Sequence, residues 1–386
     1  MARTVEGMMS AAVLRDGAPG LDVVDIPIPT PLAGEALVKV RACGVCHTDL
    51  HVMKGEVAFP RPAVLGHEIS GTIVAIGDGT AEAGGLAVGD DVVGAFIMPC
   101  DACDACDRGR DDLCAEFFGQ NRLRGTLYDG QSRLTLADGS FLAMYSMGGL
   151  AQYAVVPLTA LAVLPEGVDP VSAAVLGCAA FTSYGAVHRA GRVQAGESVA
   201  VIAVGGVGSG VVQMARAAGA DPIVAIDVAD DKLDAARALG ATHAVNSREE
   251  DVVAQVRAAT GGRGVDVAFE ALGHPATFRQ AIDVLADGGR MVAIGIAAGA
   301  SVAQIEITPL VRRGYSITGS FGARTREDLP AVVRLAADGD IDTVGLVTRT
   351  FPLSEADAAY RALAEGRITG RAVIVMDEAP RKDETA

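Results

Sequence analysis

The sequence has no long apolar run, and this absence excludes a class of protein. Across its 386 residues no segment reaches the ~18 or more consecutive apolar residues that a membrane span requires. The first ten residues carry charge and are followed by no apolar stretch, which is unlike a secretory signal. We therefore expect a cytoplasmic protein that does not bind a membrane.

Basic residues are also scarce. Lysine and arginine number 32 against 48 aspartates and glutamates, which gives a net charge of −16. Proteins that bind the nucleic-acid backbone draw their affinity from clustered lysine and arginine, and this sequence has no basic stripe. We therefore expect a small-molecule substrate and no nucleic-acid partner. The acidity itself favours solubility and does not single out a function.

The pattern of apolar residues divides the chain into two parts. The first part has short β-type runs separated by turns, among them the β-branched apolar run Ile69–Ile76. A polar, loop-rich stretch follows over residues 114–149. Beyond residue 185, apolar runs alternate with helical stretches, which is typical of a doubly wound parallel sheet; these runs are Ser198–Val204, Ile223–Ile226, Val265–Glu270 and Met291–Ile294. We predict an α/β protein with a mostly-β domain at 1–179 and 325–386 and a Rossmann domain at 180–324.

Four of the seven cysteines are close together in the sequence. Cys100, Cys103, Cys106 and Cys114 form a C-x2-C-x2-C-x7-C motif. Spacings of two residues let successive thiolates face a common centre, and four thiolates complete a tetrahedral zinc site. An iron–sulfur cluster also uses closely spaced cysteines and is the alternative. Four thiolates leave zinc no open position, so such a site is structural.

A second set of metal-binding residue types is scattered along the chain. Taken alone, Cys46, His67 and Cys178 have ordinary explanations, since a lone cysteine is usually a small core residue. Taken together, they offer two thiolates and one imidazole and leave a fourth zinc position free. The charge of two thiolates cancels that of Zn²⁺. A neutral zinc with an open position lowers the pKa of a bound alcohol, so this set predicts a catalytic site.

A glycine-rich turn predicts nucleotide binding. Gly205, Gly206, Val207 and Gly208 follow an apolar strand and open a helix, where backbone amides can approach a pyrophosphate. The turn departs from G-x-G-x-x-G, because Ala203 occupies the first glycine position. Asp227 ends the next strand, and a carboxylate there accepts hydrogen bonds from ribose hydroxyls and repels a 2′-phosphate. The pattern favours NAD over NADP.

These motifs, in this order, resemble those of the zinc-containing alcohol dehydrogenases of the medium-chain dehydrogenase/reductase superfamily. The resemblance covers residues 8–376. It implies a GroES-like catalytic domain joined to a Rossmann domain, and two zinc ions per subunit, one catalytic and one structural. It also implies reversible oxidation of an alcohol to an aldehyde or ketone, with NAD⁺ as the hydride acceptor.

The resemblance also assigns roles to individual residues. Asp49 and Glu68 lie behind the catalytic zinc, with Asp49 orienting His67. Thr48 hydrogen-bonds the substrate oxygen, and His51 ends a proton relay to water. Phe96 forms a wall of the substrate pocket, and Met144 and Tyr145 are weaker candidates. The residues expected near NAD, besides the glycine-rich turn and Asp227, are His47, Thr182, Lys232, Ile294, Ile296 and Arg371.

Several alternatives follow from the same residues. The stretch 115–149 resembles longer relatives that act on thiol–formaldehyde adducts, so an S-hydroxymethyl-thiol or S-nitrosothiol dehydrogenase is the second reading. A zinc-free quinone or enoyl reductase would lack Cys46, His67 and the four-cysteine motif, which are all present. A zinc-ribbon module conflicts with the acidity, and a non-enzymatic zinc protein would be expected to lose part of the relay. Relatives are dimers or tetramers, so we expect a homodimer or homotetramer.

Overall fold

The computed structural model describes residues 5–80, 84–297 and 299–376. In these ranges the strands are β1 (Met8–Leu14), β2 (Leu21–Pro27), β3 (Glu35–Gly44), β4 (Ala63–Val64), β5 (Ile69–Ile76), β6 (Asp91–Gly94), β7 (Leu134–Thr135), β8 (Phe141–Met144), β9 (Tyr153–Pro157), β10 (Leu161–Val163), β11 (Val199–Ile202), β12 (Ile223–Asp227), β13 (His243–Asn246), β14 (Val265–Glu270), β15 (Leu285–Ala293), β16 (Ser316–Gly319), β17 (Val347–Pro352) and β18 (Arg371–Val375). The α-helices are α1 (His47–Met53), α2 (Asp104–Asp107), α3 (Pro170–Ala173), α4 (Ala179–Tyr184), α5 (Gly206–Ala217), α6 (Asp230–Ala238), α7 (Val252–Ala259), α8 (Pro275–Asp283), α9 (Ile307–Arg312), α10 (Thr325–Ala337), α11 (Thr343–Leu346) and α12 (Ala356–Ala364).

Within the described ranges, no single helix has the length and apolar content to cross a membrane. One bent pair, Pro170–Gly177 with Ala179–Gly191, meets the criterion by length and composition alone.

The chain divides into two compact units. The first comprises Met1–Gly177, Thr325–Val333 and Val347–Ala386, and the second comprises Cys178–Arg324 and Arg334–Leu346. The division differs from the predicted domains mainly at 334–346, which groups with the second unit. Two hydrogen bonds to α5 hold this segment: the backbone amide of Asp342 donates to Gln213 (2.8 Å), and Arg216 donates to the carbonyl of Asp340 (2.9 Å).

The first unit is mostly β structure. One sheet has the order β2-β1-β4-β8-β7, and the other has the order β10-β6-β5-β3-β18-β17, with β9 also paired to β3. The β-branched apolar run Ile69–Ile76 forms β5, and from Gly71 to Ile76 its buried and partly buried residues alternate. At its carboxyl end β3 pairs antiparallel with β18, so Gly44 lies opposite Val373. This pairing brings the last described strand beside the start of α1.

The second unit is a parallel sheet of six strands in the order β13-β12-β11-β14-β15-β16. In chain order within the unit this is 3-2-1-4-5-6, the order of a Rossmann fold. The core between sheet and helices is built from buried aliphatic side chains, among them Ile202, Val224, Val256 and Met291. The predicted α/β fold class is confirmed.

The prediction of a loop-rich stretch at 114–149 was only partly correct. This stretch contains a π-helical segment, Phe117–Arg122, and the paired strands β7 and β8. Asn121, fully buried on this segment, donates hydrogen bonds to the carbonyls of Thr126, Met144 and Ser146. These hydrogen bonds from one buried side-chain amide help to order a stretch whose polar sequence predicts loops.

Candidate active site

The four cysteines of the C-x2-C-x2-C-x7-C motif converge as predicted. Their Sγ atoms all lie within 4.8 Å of one another, with 4.0 Å between Cys100 and Cys106 and 4.0 Å between Cys103 and Cys114. A tetrahedral zinc with bonds of about 2.3 Å would separate its sulfurs by about 3.8 Å. The backbone amides of Cys100 and Phe117 donate to the Cys114 sulfur. The geometry therefore fits a structural zinc.

An arginine from a distant part of the sequence lies beside this cluster, and no local sequence pattern predicts it. The guanidinium of Arg326 donates to buried Asp111 through Nε (3.1 Å) and Nη2 (2.7 Å), and to the carbonyl of Cys106 (2.6 Å). It also donates to Asp101. The carboxylate of Asp111 raises the pKa of Arg326 above its ordinary value. This arginine thus places a fixed positive charge next to four sulfurs.

The second predicted ligand set also comes together. Cys46, His67, Glu68 and Cys178 each present one ligand atom, and these atoms lie within 4.8 Å of one another. All four residues are at most 9 % exposed. The Oε2 atom of Glu68 is buried and accepts no hydrogen bond from the described residues. Two sulfurs, an imidazole and an unsatisfied carboxylate oxygen fit a zinc ion, which would supply the missing positive partner.

Local backbone geometry places the ligands. Cys46 follows β3 and caps α1. His67 follows Gly66, whose φ of +95° favours glycine and whose Cβ, if present, would meet a facing backbone nitrogen at 2.7 Å. The carbonyl of Gly177 accepts a hydrogen bond from the amide of Phe96 (3.0 Å), and Cys178 is the next residue.

Asp49 contacts the imidazole that the resemblance expects it to orient. Its Oδ1 lies 3.1 Å from His67 Nδ1 and accepts a hydrogen bond from the amide of Gly66 (3.2 Å). The other carboxylate oxygen of Asp49 accepts a hydrogen bond from Tyr360 (2.9 Å), a residue that the sequence analysis did not select. With Nδ1 engaged, Nε2 of His67 is left for a metal.

Burial and charge act in opposite directions on the titratable groups. Burial lowers the pKa of His67, but the charges of Asp49 and Cys46 outweigh burial and raise it to about 10. Burial raises the pKa of Glu68, against the lowering effect of Arg371, whose guanidinium donates to Glu68. The negative groups of this buried cluster therefore favour a cation, and zinc can take the place of the His67 proton.

The proposed relay residues follow Cys46 on α1. The Thr48 hydroxyl lies 3.5 Å from the Cys46 sulfur. His51 is one turn further, with 39 % of its side chain exposed, and its Nδ1 contacts Glu56. Glu56 was not predicted from the sequence, although a carboxylate five residues after a relay histidine is a usable signal. His47, the first residue of α1, is exposed.

Aromatic side chains stand beside the ligands. The rings of Phe96 and Tyr145 both lie 6.1 Å from the His67 ring, and Phe59 packs edge-on against Tyr145 at 4.9 Å. Arg122 places its guanidinium carbon 4.0 Å from the centre of the Tyr145 ring. The predicted wall residue Phe96 is thus at the ligand set, and Tyr145, the weaker candidate, is equally near.

The glycine-rich turn is a tightly packed connection between β11 and α5. Ala203 has a φ of +69°, in the left-handed region that favours the glycine missing from the motif. Gly208 packs so closely that a Cβ would lie 2.1 Å from the Ala203 carbonyl oxygen. Asp227, which is 7 % exposed, accepts hydrogen bonds from the amides of Val204 (2.9 Å) and Val228 (2.7 Å). The carboxylate thus also holds the turn to the end of β12.

The other residues predicted near NAD occupy varied positions. In the second unit, Thr182 is buried on α4 and Lys232 is half-buried on α6. Ile294 follows β15 and is 9 % exposed, whereas Ile296 is 66 % exposed. In the first unit, Arg371 begins β18 and is bound to Glu68. Their roles toward NAD stay predictions.

Comparisons with known proteins agree with this geometry. Residues 32–166 match the alcohol dehydrogenase GroES-like domain family, and residues 206–338 match the zinc-binding dehydrogenase family. The S-(hydroxymethyl)glutathione dehydrogenase of Synechocystis sp. is 33% identical over 363 residues, which cover 92% of this chain and 97% of that protein. The chain belongs to the zinc-dependent alcohol dehydrogenase family.

Solved structures of this alcohol dehydrogenase family superimpose along nearly the whole chain. An alcohol dehydrogenase zinc-binding domain protein from Burkholderia ambifaria is 34% identical with a TM-score of 0.90, covering 97% of this chain and 100% of that one. The benzyl alcohol dehydrogenase of Acinetobacter calcoaceticus is 31% identical with a TM-score of 0.89, covering 96% and 100%. The predicted family, GroES-like and Rossmann fold, enzyme class and cofactors are therefore confirmed.

Proposed function

We propose that Cys46, His67 and Cys178 hold the catalytic zinc of this alcohol dehydrogenase, and that Cys100, Cys103, Cys106 and Cys114 hold a second, structural zinc. The observation that carries the proposal is the buried cluster of ligand atoms within 4.8 Å of one another, with Glu68 Oε2 unsatisfied among the described residues. The reaction is reversible oxidation of an alcohol to an aldehyde or ketone. When bound, zinc polarises the substrate oxygen and NAD⁺ accepts the hydride.

The chain's own residues position the substrate and move its proton. Thr48 lies beside Cys46 and accepts a hydrogen bond from the substrate hydroxyl. His51 is partly exposed and bound to Glu56, so it can pass a proton to bulk water. Phe96 and Tyr145 keep water from the reacting carbon. Residues 1–179 and 325–386 supply this catalytic domain.

Cofactor choice rests on Asp227. Its carboxylate is buried at the end of β12 and would face the 2′ position of an adenosine ribose, where it repels a phosphate. This supports NAD over NADP, with residues 180–324 as the NAD-binding domain. The exposed position of His47 and the half-buried one of Lys232 are compatible with contacts to the cofactor.

A thiol–formaldehyde adduct is a second candidate substrate. It is supported by the curated relatives, which include S-(hydroxymethyl)glutathione dehydrogenases from Synechocystis sp. and Escherichia coli. A simple or aromatic alcohol is supported by the aromatic residues beside His67. The aromatic wall is a property of this chain's own site, so alcohols without a thiol carrier are the first choice.

The assembly proposed is a homodimer or homotetramer in the cytoplasm. Apolar side chains are exposed in the chain segment between β15 and the edge strand β16: Val302 is 77 % exposed, Ile307 is 75 % exposed and Val311 is 71 % exposed. Exposed apolar groups and an open strand edge both favour association with another chain. Sedimentation equilibrium tests this, and a monomer at micromolar concentration would contradict it.

The central experiment combines zinc analysis with a substrate panel. NADH absorbance would be followed with primary, secondary and aromatic alcohols, and with an S-hydroxymethyl thiol. Cys46→Ser should lose one zinc per chain and all turnover. Cys43→Ser is the matched control, because Cys43 is also buried but stands outside both ligand sets. Activity with the thiol adduct alone would favour the second candidate, and two bound zincs with no turnover of any substrate would contradict the proposal.

A further inference from the structure

Tyr360 is a buried polar residue that the proposed reaction does not use. It lies on α12 in the first unit, is 1 % exposed, and donates its phenol hydrogen to Asp49 Oδ2 at 2.9 Å. The two residues are 311 positions apart in the sequence. A tyrosine hydroxyl buried so completely needs an acceptor, and here the acceptor is the carboxylate behind the imidazole.

The contacts of Asp49 show what the phenol does. Asp49 is fully buried, and a buried carboxylate is costly unless hydrogen bonds satisfy it. Its Oδ1 is shared by the amide of Gly66 and by Nδ1 of His67. Its Oδ2, the oxygen that does not contact the imidazole, accepts the hydrogen bond from Tyr360. The hydroxyl therefore fixes the rotation of the carboxylate, and the carboxylate fixes the plane of the His67 ring.

The surroundings of Tyr360 favour the protonated, donor form of its phenol. Burial raises the pKa of Tyr360 well above its ordinary value of 10.0, and the charge of Asp49 raises it further. The hydroxyl is therefore protonated at neutral pH and can donate to Asp49 there.

We propose that Tyr360 is a positioning residue for the catalytic metal, acting through Asp49 to aim His67 Nε2 at the zinc. The inference rests on the proposed function, since it takes His67 as a zinc ligand. Partners that orient ligating histidines contribute roughly 10- to 100-fold to metal affinity. Tyr360 acts one contact further out, so the lower part of that range is expected.

The test compares metal release from the full-length zinc-loaded protein. Tyr360→Phe removes one hydroxyl and leaves the ring volume unchanged. The matched control is Tyr315→Phe. In the wild-type chain the Tyr315 phenol donates to the carbonyl of Leu285 in the second unit (3.4 Å). A chromophoric chelator reports the release rate of each zinc, with the four-cysteine zinc as the internal reference. We expect catalytic zinc to leave Tyr360→Phe about 10-fold faster than wild type, and at the wild-type rate in the control.

Two further measurements separate positioning from packing. With cobalt(II) in the catalytic site, Tyr360→Phe should shift the visible absorption bands, since they report ligand geometry. In an Asp49→Asn background, Tyr360→Phe should have no additional effect on zinc release. Tyr360 acts on the metal through the Asp49 carboxylate, which that background has already replaced. Release within twofold of wild type, an unchanged cobalt spectrum, or additive effects in the double variant would overturn the proposal.

The proposed function has its own readout, so the two failures are distinguishable. If wild type holds no zinc that Cys46→Ser removes, the ligand assignment fails, whatever Tyr360 does. If that zinc is present and Tyr360→Phe leaves its release unchanged, only the positioning role fails.

Discussion

Replacing Arg326 with alanine should lower the free energy of local unfolding of residues 100–114, the segment that contains the four cysteines. The arginine side chain is 32 % exposed, whereas its partner Asp111 is 2 % exposed. Removing one member of a buried pair costs about 3–5 kcal/mol. Water reaches part of the arginine, and the backbone amide of residue 326 still donates to Asp111 (2.9 Å) in the variant. We therefore expect a loss of about 2–3 kcal/mol.

Amide hydrogen exchange measures this loss where it occurs. Residues 100–114 lie in a metal-containing part of a two-unit protein, so a single global unfolding transition is a poor measure. Since each 1.4 kcal/mol is a factor of ten, amides in this segment that exchange by local opening should exchange roughly 30- to 150-fold faster in Arg326→Ala. The structural zinc should also pass to a chelator faster, because the Cys106 carbonyl loses its donor.

A matched control for Arg326→Ala lies in the same segment, residues 100–114. Arg108 and Asp104 form an exposed pair, with side chains 65 % and 82 % exposed, and such pairs contribute little. Arg108→Ala should leave exchange in residues 100–114 unchanged. The reasoning is refuted if Arg326→Ala exchanges no faster than Arg108→Ala. It is also refuted if Arg326→Ala and Asp111→Asn have additive effects, since partners in direct contact should couple.

Three further predictions concern the catalytic metal, the cofactor and the turn. Chelation at neutral pH should remove catalytic zinc and abolish NADH formation, which added zinc restores. Asp227→Ser should raise kcat/KM for NADP relative to NAD by about 10- to 100-fold, measured with both cofactors, because the repulsion of a 2′-phosphate disappears. Ala203→Gly should relieve the φ of +69° and raise the free energy of unfolding by about 0.5–1 kcal/mol, seen as a higher thermal midpoint.

Each of these has an outcome that contradicts it. If protein that metal analysis shows to lack zinc still forms NADH at the full rate, zinc is not required for the reaction. If the ratio of kcat/KM for NADP to that for NAD is unchanged in Asp227→Ser, then Asp227 serves mainly to bind the backbone amides of Val204 and Val228. A lower thermal midpoint in Ala203→Gly would show that the positive φ of Ala203 costs alanine no free energy. Ala218→Gly, at a half-buried position with an ordinary φ of −76°, is the control for added chain entropy.

Local patterns explain what could be predicted from the sequence. The β-branched run Ile69–Ile76 is a strand with those bounds, and Val265–Glu270 is another. Both depend on side-chain periodicity within a few residues. The four-cysteine motif converges because its spacing is short. Cys46, His67 and Cys178 could be grouped because metal ligands are restricted to few residue types.

Contacts between distant segments explain what could not be predicted. Tyr360 reaches Asp49 across 311 positions, and Arg326 reaches Asp111 across 215. No local spacing indicates such pairs, because they depend on how strands and helices pack. The π-helical segment is a similar case, since the buried amide of Asn121 stabilises it through carbonyls up to 25 residues away. Strand β15 begins six residues before the apolar run that predicted it, because its first part passes through Gly288 and Gly289.

Helix α10 begins in one unit and ends in the other, and this matters for anyone who wishes to recombine the enzyme with its relatives. Thr325–Val333 groups with the first unit and Arg334–Leu346 with the second. A chimera that transplants only residues 178–324 would leave Asp342 with a foreign α5 in place of its partner Gln213. Grafting a new coenzyme preference therefore calls for two crossovers beyond residue 324, so that both pieces travel together.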